Sequence, residues 1–254
     1  MATLPNVQTP PELDAPPINE VVCGIVFEEL PIDPVLVGAY WANRRDELPE
    51  RALKLPVGAY QLNMVEAPPL RVWLRSVDAG TLIQIQHDRF YVNWQATGGT
   101  YPRFHTIAAD LEKELTLFSA FCEEWLSKKP AAQAIELTKV NLLRRGKHWT
   151  DVADLARMLP AVAPLIGLTH IDQPTFSVQF SDKRDGAELL SIVVTGLEPG
   201  TNEPVIKLEN RLMRPVESGE EVLGAFREAN KVLDDLFCSY ISREEMTKRF
   251  GGQP

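Results

Sequence analysis

Cysteine is scarce in this chain of 254 residues, which has three. Cys23, Cys122 and Cys238 are far apart, odd in number and each set inside an apolar pattern. That spacing excludes a disulfide framework and a metal knuckle, and the three read as small core residues of a reducing cytoplasm. Histidine is almost as sparse: His87, His105, His148 and His170 show no HxxxH or HxH spacing, and there is no CxxC. No two ligands share a face, except that His170 and Asp172 would do so on a strand, which is half a site, so no metal is expected. No apolar run approaches the roughly 18 residues that a membrane span needs. The N-terminus lacks a basic region followed by an apolar run, so no secretory signal is expected. G-x-S-x-G, G-x-x-x-x-G-K-[ST] and a G-x-G-x-x-G opening a helix are all missing. Gly98-Gly99-Thr100 is a turn with nothing beyond it to cradle phosphate, and no cofactor is implied.

What is present is ordinary for a soluble globular protein: 44% hydrophobic and 24% charged residues. At this length folding buries roughly 70–75% of the extended chain's surface, so no staple is needed. The net charge of −9 argues against a general nucleic-acid or anionic-membrane binder, though it allows a local basic patch.

Residues 1–17 carry Pro5, Pro10, Pro11, Pro16 and Pro17 and read as an extended arm. Two halves follow, 18–130 and 131–254. The first opens with a strand at Val21–Phe27, then a helix capped by Asp33 with Pro34 at its first position. Leu36, Val37, Tyr40, Trp41 and Leu48 form its stripe, and the stretch Pro49 to Pro56 ends it. A short strand at Tyr60 and Leu62 and another over Leu70–Val77 come next. A long helix runs from about Thr106 to Leu126, its apolar face stepping through Ile107, Leu111, Leu115, Phe118, Cys122 and Trp125. The second half repeats the order. A strand at Ala134–Leu143 precedes a short helix capped by Thr150 or Asp151, with Val152, Leu155 and Leu159 inward. Strands follow at Thr175–Ser181 (Phe176, Val178 and Phe180 on one side), Ala187–Thr195 and Val205–Leu212. A second long helix places Leu223, Phe226, Asn230, Leu233, Phe237 and Tyr240 on one face. Ser242 begins a capping box for a final helix carrying Met246 and Phe250. The fold expected is α+β in two similar halves, each an antiparallel sheet backed by a long helix, a duplication of TATA-binding-protein-like or helix-grip-like kind.

The clearest order lies in Thr81–Trp94, a hairpin turning at His87-Asp88. It sets Ile83, Ile85, Phe90 and Val92 on one face and Gln84, Gln86, Arg89, Tyr91 and Asn93 on the other. On the preceding strand Arg71, Trp73 and Arg75 alternate with Leu70, Val72 and Leu74.

Pro16-Pro-Ile-Asn-Glu-Val-Val22 with Phe27, Val72-Trp-Leu74, Gln84-Ile-Gln86, Asp88-Arg-Phe90, Asn93-Trp94, Tyr101-Pro102 and Glu136-Leu-Thr138 with Asn141 resemble the landmarks of a sporadically distributed bacterial family of uncharacterised proteins. The resemblance spans residues 16 to about 145 and is loose beyond. It implies a bacterial, cytoplasmic protein of about this length and supplies no mechanism.

Three functions compete. The first is non-catalytic binding of a macromolecule through the face formed by Arg71, Trp73, Arg75, Gln84, Gln86, Arg89, Tyr91 and Asn93, since arginine and aromatic side chains anchor interfaces. A protein partner suits it better than nucleic acid, whose phosphates call for net positive charge, and the bland alternative is a face whose polar groups satisfy one another. The second is a helix-grip pocket for a small apolar ligand, lined by Phe118, Trp125 and Phe237. The third is a hydrolase or nuclease built from Glu136, His87 and Asp88, although an isolated strand carboxylate is usually an ion-pair partner.

Overall fold

Alternating side chains build strands, apolar stripes build helices, and the chain interleaves the two. The computed structural model describes residues 12–55, 71–98, 100–161, 163–166, 175–198, 200–217 and 219–251. In order these form β1 (Ile18–Phe27), α1 (Pro34–Ala42), β2 (Glu50–Lys54), β3 (Arg71–Arg75), β4 (Thr81–Gln86), β5 (Arg89–Gln95) and α2 (Phe104–Leu126). After them come β6 (Ala132–Arg144), α3 (Val152–Met158), α4 (Ala163–Ile166), β7 (Ser177–Arg184), β8 (Ala187–Leu197), β9 (Pro204–Pro215), α5 (Val222–Tyr240) and α6 (Arg243–Phe250). The protein is therefore α+β. Its strands join in one sheet, ordered β2-β3-β4-β5-β1-β6-β9-β8-β7, where the sequence suggested a separate sheet for each half. Side by side at the centre, β1 and β6 each escape being an open edge. Two compact units can be distinguished: Glu20–Leu137 with Met213–Phe226, and Met1–Asn19 with Thr138–Leu212 and Arg227–Pro254.

In the first of these the hairpin has the expected register, Gln86 opposite Arg89, Ile85 opposite Phe90, Gln84 opposite Tyr91 and Ile83 opposite Val92. Its apolar face is sealed by α2, where Phe118 stacks on Phe90 at 4.3 Å and also meets Phe27 and Tyr40. The helix ends on Ser127 in the left-handed region (φ 53°), one turn before Pro130 could stop it. Trp125, expected inside, is 53% exposed, and Phe121 takes the buried place. Asp33 caps α1 as expected, accepting from the Leu36 N–H at 2.8 Å. That helix stops at Ala42, short of Leu48. The following turn tucks Leu48 inside, its carbonyl accepting from Trp41 Nε1 at 2.8 Å. The same turn swings Arg44 onto Glu114 of α2. Glu50–Lys54, read as a helix stop, is a strand paired with β3 and exposed at all five residues. With no buried face it has no alternation to betray it. The strand expected at Tyr60 and Leu62 lies outside the described residues, as do Leu70, His170 and Asp172.

The second unit packs Leu143, Trp149, Leu155, Met158, Leu208, Phe237, Met246 and Phe250 into its own core. Asp151 and Ser242 cap α3 and α6 through the Asp154 and Glu245 N–H groups. Phe180, on the same side of its strand as Phe176 and Val178 by alternation, is 52% exposed on the terminal strand β7. Asn230, the polar intruder on the α5 stripe, donates to Asp234 at 2.9 Å.

His148 sits in this core at 3% exposure, its Nδ1 accepting the Arg144 N–H at 2.8 Å. Burial, then the neighbouring Lys147, Arg144 and Arg249 charges, push its pKa down to about 4. A folded-state value below the unfolded one means the stability is present above about pH 6.5 and lost as pH falls toward 4. Urea titrations should thus show stability dropping by roughly 3 kcal/mol across that window. His148→Asn should flatten the slope there, and an unchanged slope would assign it to other groups.

Candidate binding face

The eight residues singled out by alternation lie on one side of the sheet, opposite the side that α2 covers. Register alone places them: Trp73 faces Gln84, Gln84 faces Tyr91, and Tyr91 faces Gly24 of β1. Cross-strand partners point the same way, so the four form one row.

Two hydrogen-bonded chains run through the face. In the first, Arg71 Nη1 donates to Gln84 Oε1 at 3.0 Å and Gln84 Nε2 donates to Asn93 Oδ1 at 2.8 Å. Asn93 Nδ2 then donates to Glu20 Oε1 at 2.7 Å, which also accepts from Gln95 Nε2 at 3.0 Å. A guanidinium can only donate and a carboxylate only accept, so the two charged ends fix the sense of both amides between them. In the second, Tyr91 lies across Gly24 and its hydroxyl donates to Glu136 Oε2 on β6 at 3.2 Å. Burial, then the Glu136 charge, push the Tyr91 hydroxyl up to about 12, so it remains a donor. Arg89 stands between two carboxylates, 3.3 Å from Asp88 and 3.7 Å from Glu136, and Gln86 donates to Asp88 at 2.7 Å.

These bonds divide the eight residues. Gln84, Gln86, Tyr91 and Asn93 are only 6, 2, 3 and 3% exposed. They were expected to lie wet. Instead they form a buried frame, because interlocked amides and a ring lying flat on glycine close over one another. Arg89 is held by its carboxylates. Arg71, Trp73 and Arg75 are half-buried and form the open part. Trp73 is flanked by Lys54 at 4.8 Å and Arg71 at 5.4 Å, both placed to attract its ring. Among the described residues, Trp73 Nε1 and Arg71 Nε are buried donors that meet no acceptor, and burial holds Arg71 below the usual guanidinium range. The Arg75 side chain makes no hydrogen bond or ion pair among the described residues.

The frame residues Glu20, Gly24 and Glu136 and the flanking Lys54 were not read as parts of this face. Gly24 was findable, since a mid-strand glycine between Val22 and Val26 marks close approach of another group.

The other candidates do not assemble. Phe118 is spent in aromatic stacking, Trp125 lies on Phe121 at the surface, and Phe237 belongs to the core of the other unit. His87 reaches Asp88 only at 4.0 Å and Glu29 at 3.6 Å, while Asp88 and Glu136 share Arg89. Among the described residues no three His, Cys, Asp or Glu side chains could together hold a metal ion. Burial pushes the Cys122 and Cys238 thiols up to about 11, which leaves little thiolate at neutral pH. No described helix is long and apolar enough to cross a membrane. No protein-family model matches the chain, and no curated protein matches it.

Proposed function

We propose that this is a non-catalytic binding protein of the bacterial cytoplasm, which captures a protein partner through Arg71, Trp73 and Arg75. The observation that carries the reading is the half-buried Trp73 ring held between Lys54 and Arg71, with the Arg75 side chain unpaired among the described residues on the same strand. Guanidinium groups donate to carboxylates and carbonyls, so the partner presents an acidic segment to this face. Gln84, Asn93 and Glu20 hold Arg71 in place, which lowers the entropy cost of binding. Nucleic acid is disfavoured, since the chain as a whole carries −9.

Synthetic peptides rich in Asp and Glu, compared with neutral and Lys-rich peptides of equal length, test the reading. Trp73→Ala should weaken the acidic peptide at least about 30-fold, the size of a hot-spot loss, with the melting temperature nearly unchanged. Binding should also weaken with salt. Equal binding of all three peptides, or of Trp73→Ala and wild type, would remove the reading.

We also read the chain as a duplication. The support is the strand order: β1 and β6 each open a half, sit together at the centre, and adjoin β5 and β9, the last strands of their halves. The remaining strands of each half meander outward, and α2 and α5 follow at corresponding places. Superposing Ile18–Leu126 on Ala132–Tyr240 in an experimental structure tests it, and failure of the core strands to overlay would refute it.

A further inference from the structure

At the end of the sheet away from β7, among the described residues, stands β2, whose sequence is Glu50-Arg-Ala-Leu-Lys54. One side pairs with β3; all five residues are exposed. An open edge offers a row of backbone donors and acceptors to any strand of matching register. Beside it a groove of about 480 Å³ runs between α1 and the sheet, lined chiefly by Pro34, Val37, Trp41, Leu53, Val72 and Leu74. Three large apolar side chains stand open on or next to this strand and helix: Leu53 at 60%, Leu55 at 65% and Val35 at 81% exposure. The feature as a whole suits an extended partner that adds a strand and brings apolar groups with it.

The sequence of the strand says which partner. Turned antiparallel on itself about Ala52, it places Glu50 opposite Lys54 and Lys54 opposite Glu50 of the copy. Arg51 then faces Leu53. Opposite charges directly across an antiparallel pair stabilise it, and like charges would oppose it. The pattern is self-complementary in the sense that a twofold interface requires. Arg51 and Leu53 share the groove side, as their pairing with Leu74 and Val72 shows. Arg51 already lies over the Trp41 ring at 4.2 Å, so the copy's Leu53 would rest on its aliphatic stem and extend the groove's apolar floor.

We infer that β2 is a homodimerisation edge, joining two copies of this chain through antiparallel β2–β2 pairing centred on Ala52. The interface is small, of the transient class that buries under about 1,200 Å², and its state depends on concentration.

Sedimentation velocity on the full chain tests it at about 100 µM, where a transient interface of that class is still populated. Wild type should sediment as a dimer. Glu50→Lys sets lysine against lysine and Lys54→Glu sets glutamate against glutamate. Each should weaken the dimer at least tenfold. The double variant Glu50→Lys with Lys54→Glu restores opposite charges and should restore the dimer, which misfolding or a general charge effect would not do. Far-ultraviolet circular dichroism confirms that each variant is folded. A monomeric wild type, a Glu50→Lys variant as dimeric as wild type, or a folded double variant that stays monomeric would each overturn the inference.

Discussion

Glu114→Ala should cost about 3–5 kcal/mol, the loss typical when one member of a buried ion pair is removed. Glu114 projects from α2 into the first unit and accepts from Arg44 twice, at 2.7 Å from Nη1 and 2.9 Å from Nη2. Both side chains are nearly sealed, at 10% and 8% exposure. The hydrogen bonds to Glu114 raise the Arg44 guanidinium further above its ordinary range, so it cannot escape by losing its proton. With the carboxylate gone, Arg44 keeps the Tyr40 hydroxyl at 3.0 Å and Glu47 at 2.8 Å, but Glu47 is 62% exposed and its solvated charge offsets a buried guanidinium only in part. At about 2–4 °C per kcal/mol for a chain of this size, the melting temperature should fall by about 10 °C. The combined replacement of Arg44 by Met, Glu114 by Leu and Tyr40 by Phe removes the buried polar groups together and leaves only the exposed Glu47. It should stay within about 1–2 kcal/mol of wild type, since apolar groups of similar volume replace buried pairs at little cost. Urea midpoints measure both. A triple variant as unstable as Glu114→Ala would show that the pair stabilises the fold by more than avoiding an orphaned charge.

Arg44 and Glu114 also show where sequence reading stops. Periodicity gave the α2 stripe and hence the Phe90–Phe118 stack, because burial of apolar groups is what the 3.6-residue period records. It could not give Glu114, which lies beside that stripe and, on charge alone, belongs to the wet side. Only a cation brought from the turn after α1, 70 positions away, makes its burial tolerable, and that arrival is a tertiary event. The same holds for the sheet. The hairpin register was legible because a two-residue turn and strict alternation leave one solution. The joining of β1 to β6 was not, since a strand's sequence shows that it is half-buried and not which neighbour it meets. Strand β2 was invisible for the opposite reason, having no buried face. The binding face was legible as a set of positions, and its division into a buried frame and the half-buried Arg71, Trp73 and Arg75 was not. That division depends on Tyr91 reaching over a neighbouring strand, and alternation carries no information about reach.

Gly24→Val should therefore destabilise the protein and disturb the face together. A Cβ on Gly24 would fall within the Tyr91 ring, striking Cδ1 and Cε1. Backbone conformation is not the obstacle, as Gly24 is paired in register with Tyr91 and lies in the middle of β1. The ring must leave. Forcing a side chain off a well-packed position costs about 1–3 kcal/mol, and losing the Tyr91–Glu136 hydrogen bond adds about 1 kcal/mol more. Together they predict a melting temperature lower by about 5–10 °C. Tyr91→Ala vacates the same volume, so Gly24→Val in a Tyr91→Ala background should cost far less than in wild type. The coupling between the two sites should reach about 1–3 kcal/mol, the range for residues in contact. Because Tyr91 lies beside Gln84 in register and Gln84 holds Arg71, the single glycine variant should weaken capture of acidic peptide as well as stability. Additive costs for the two substitutions would mean that Tyr91 is not the group that requires glycine at this position.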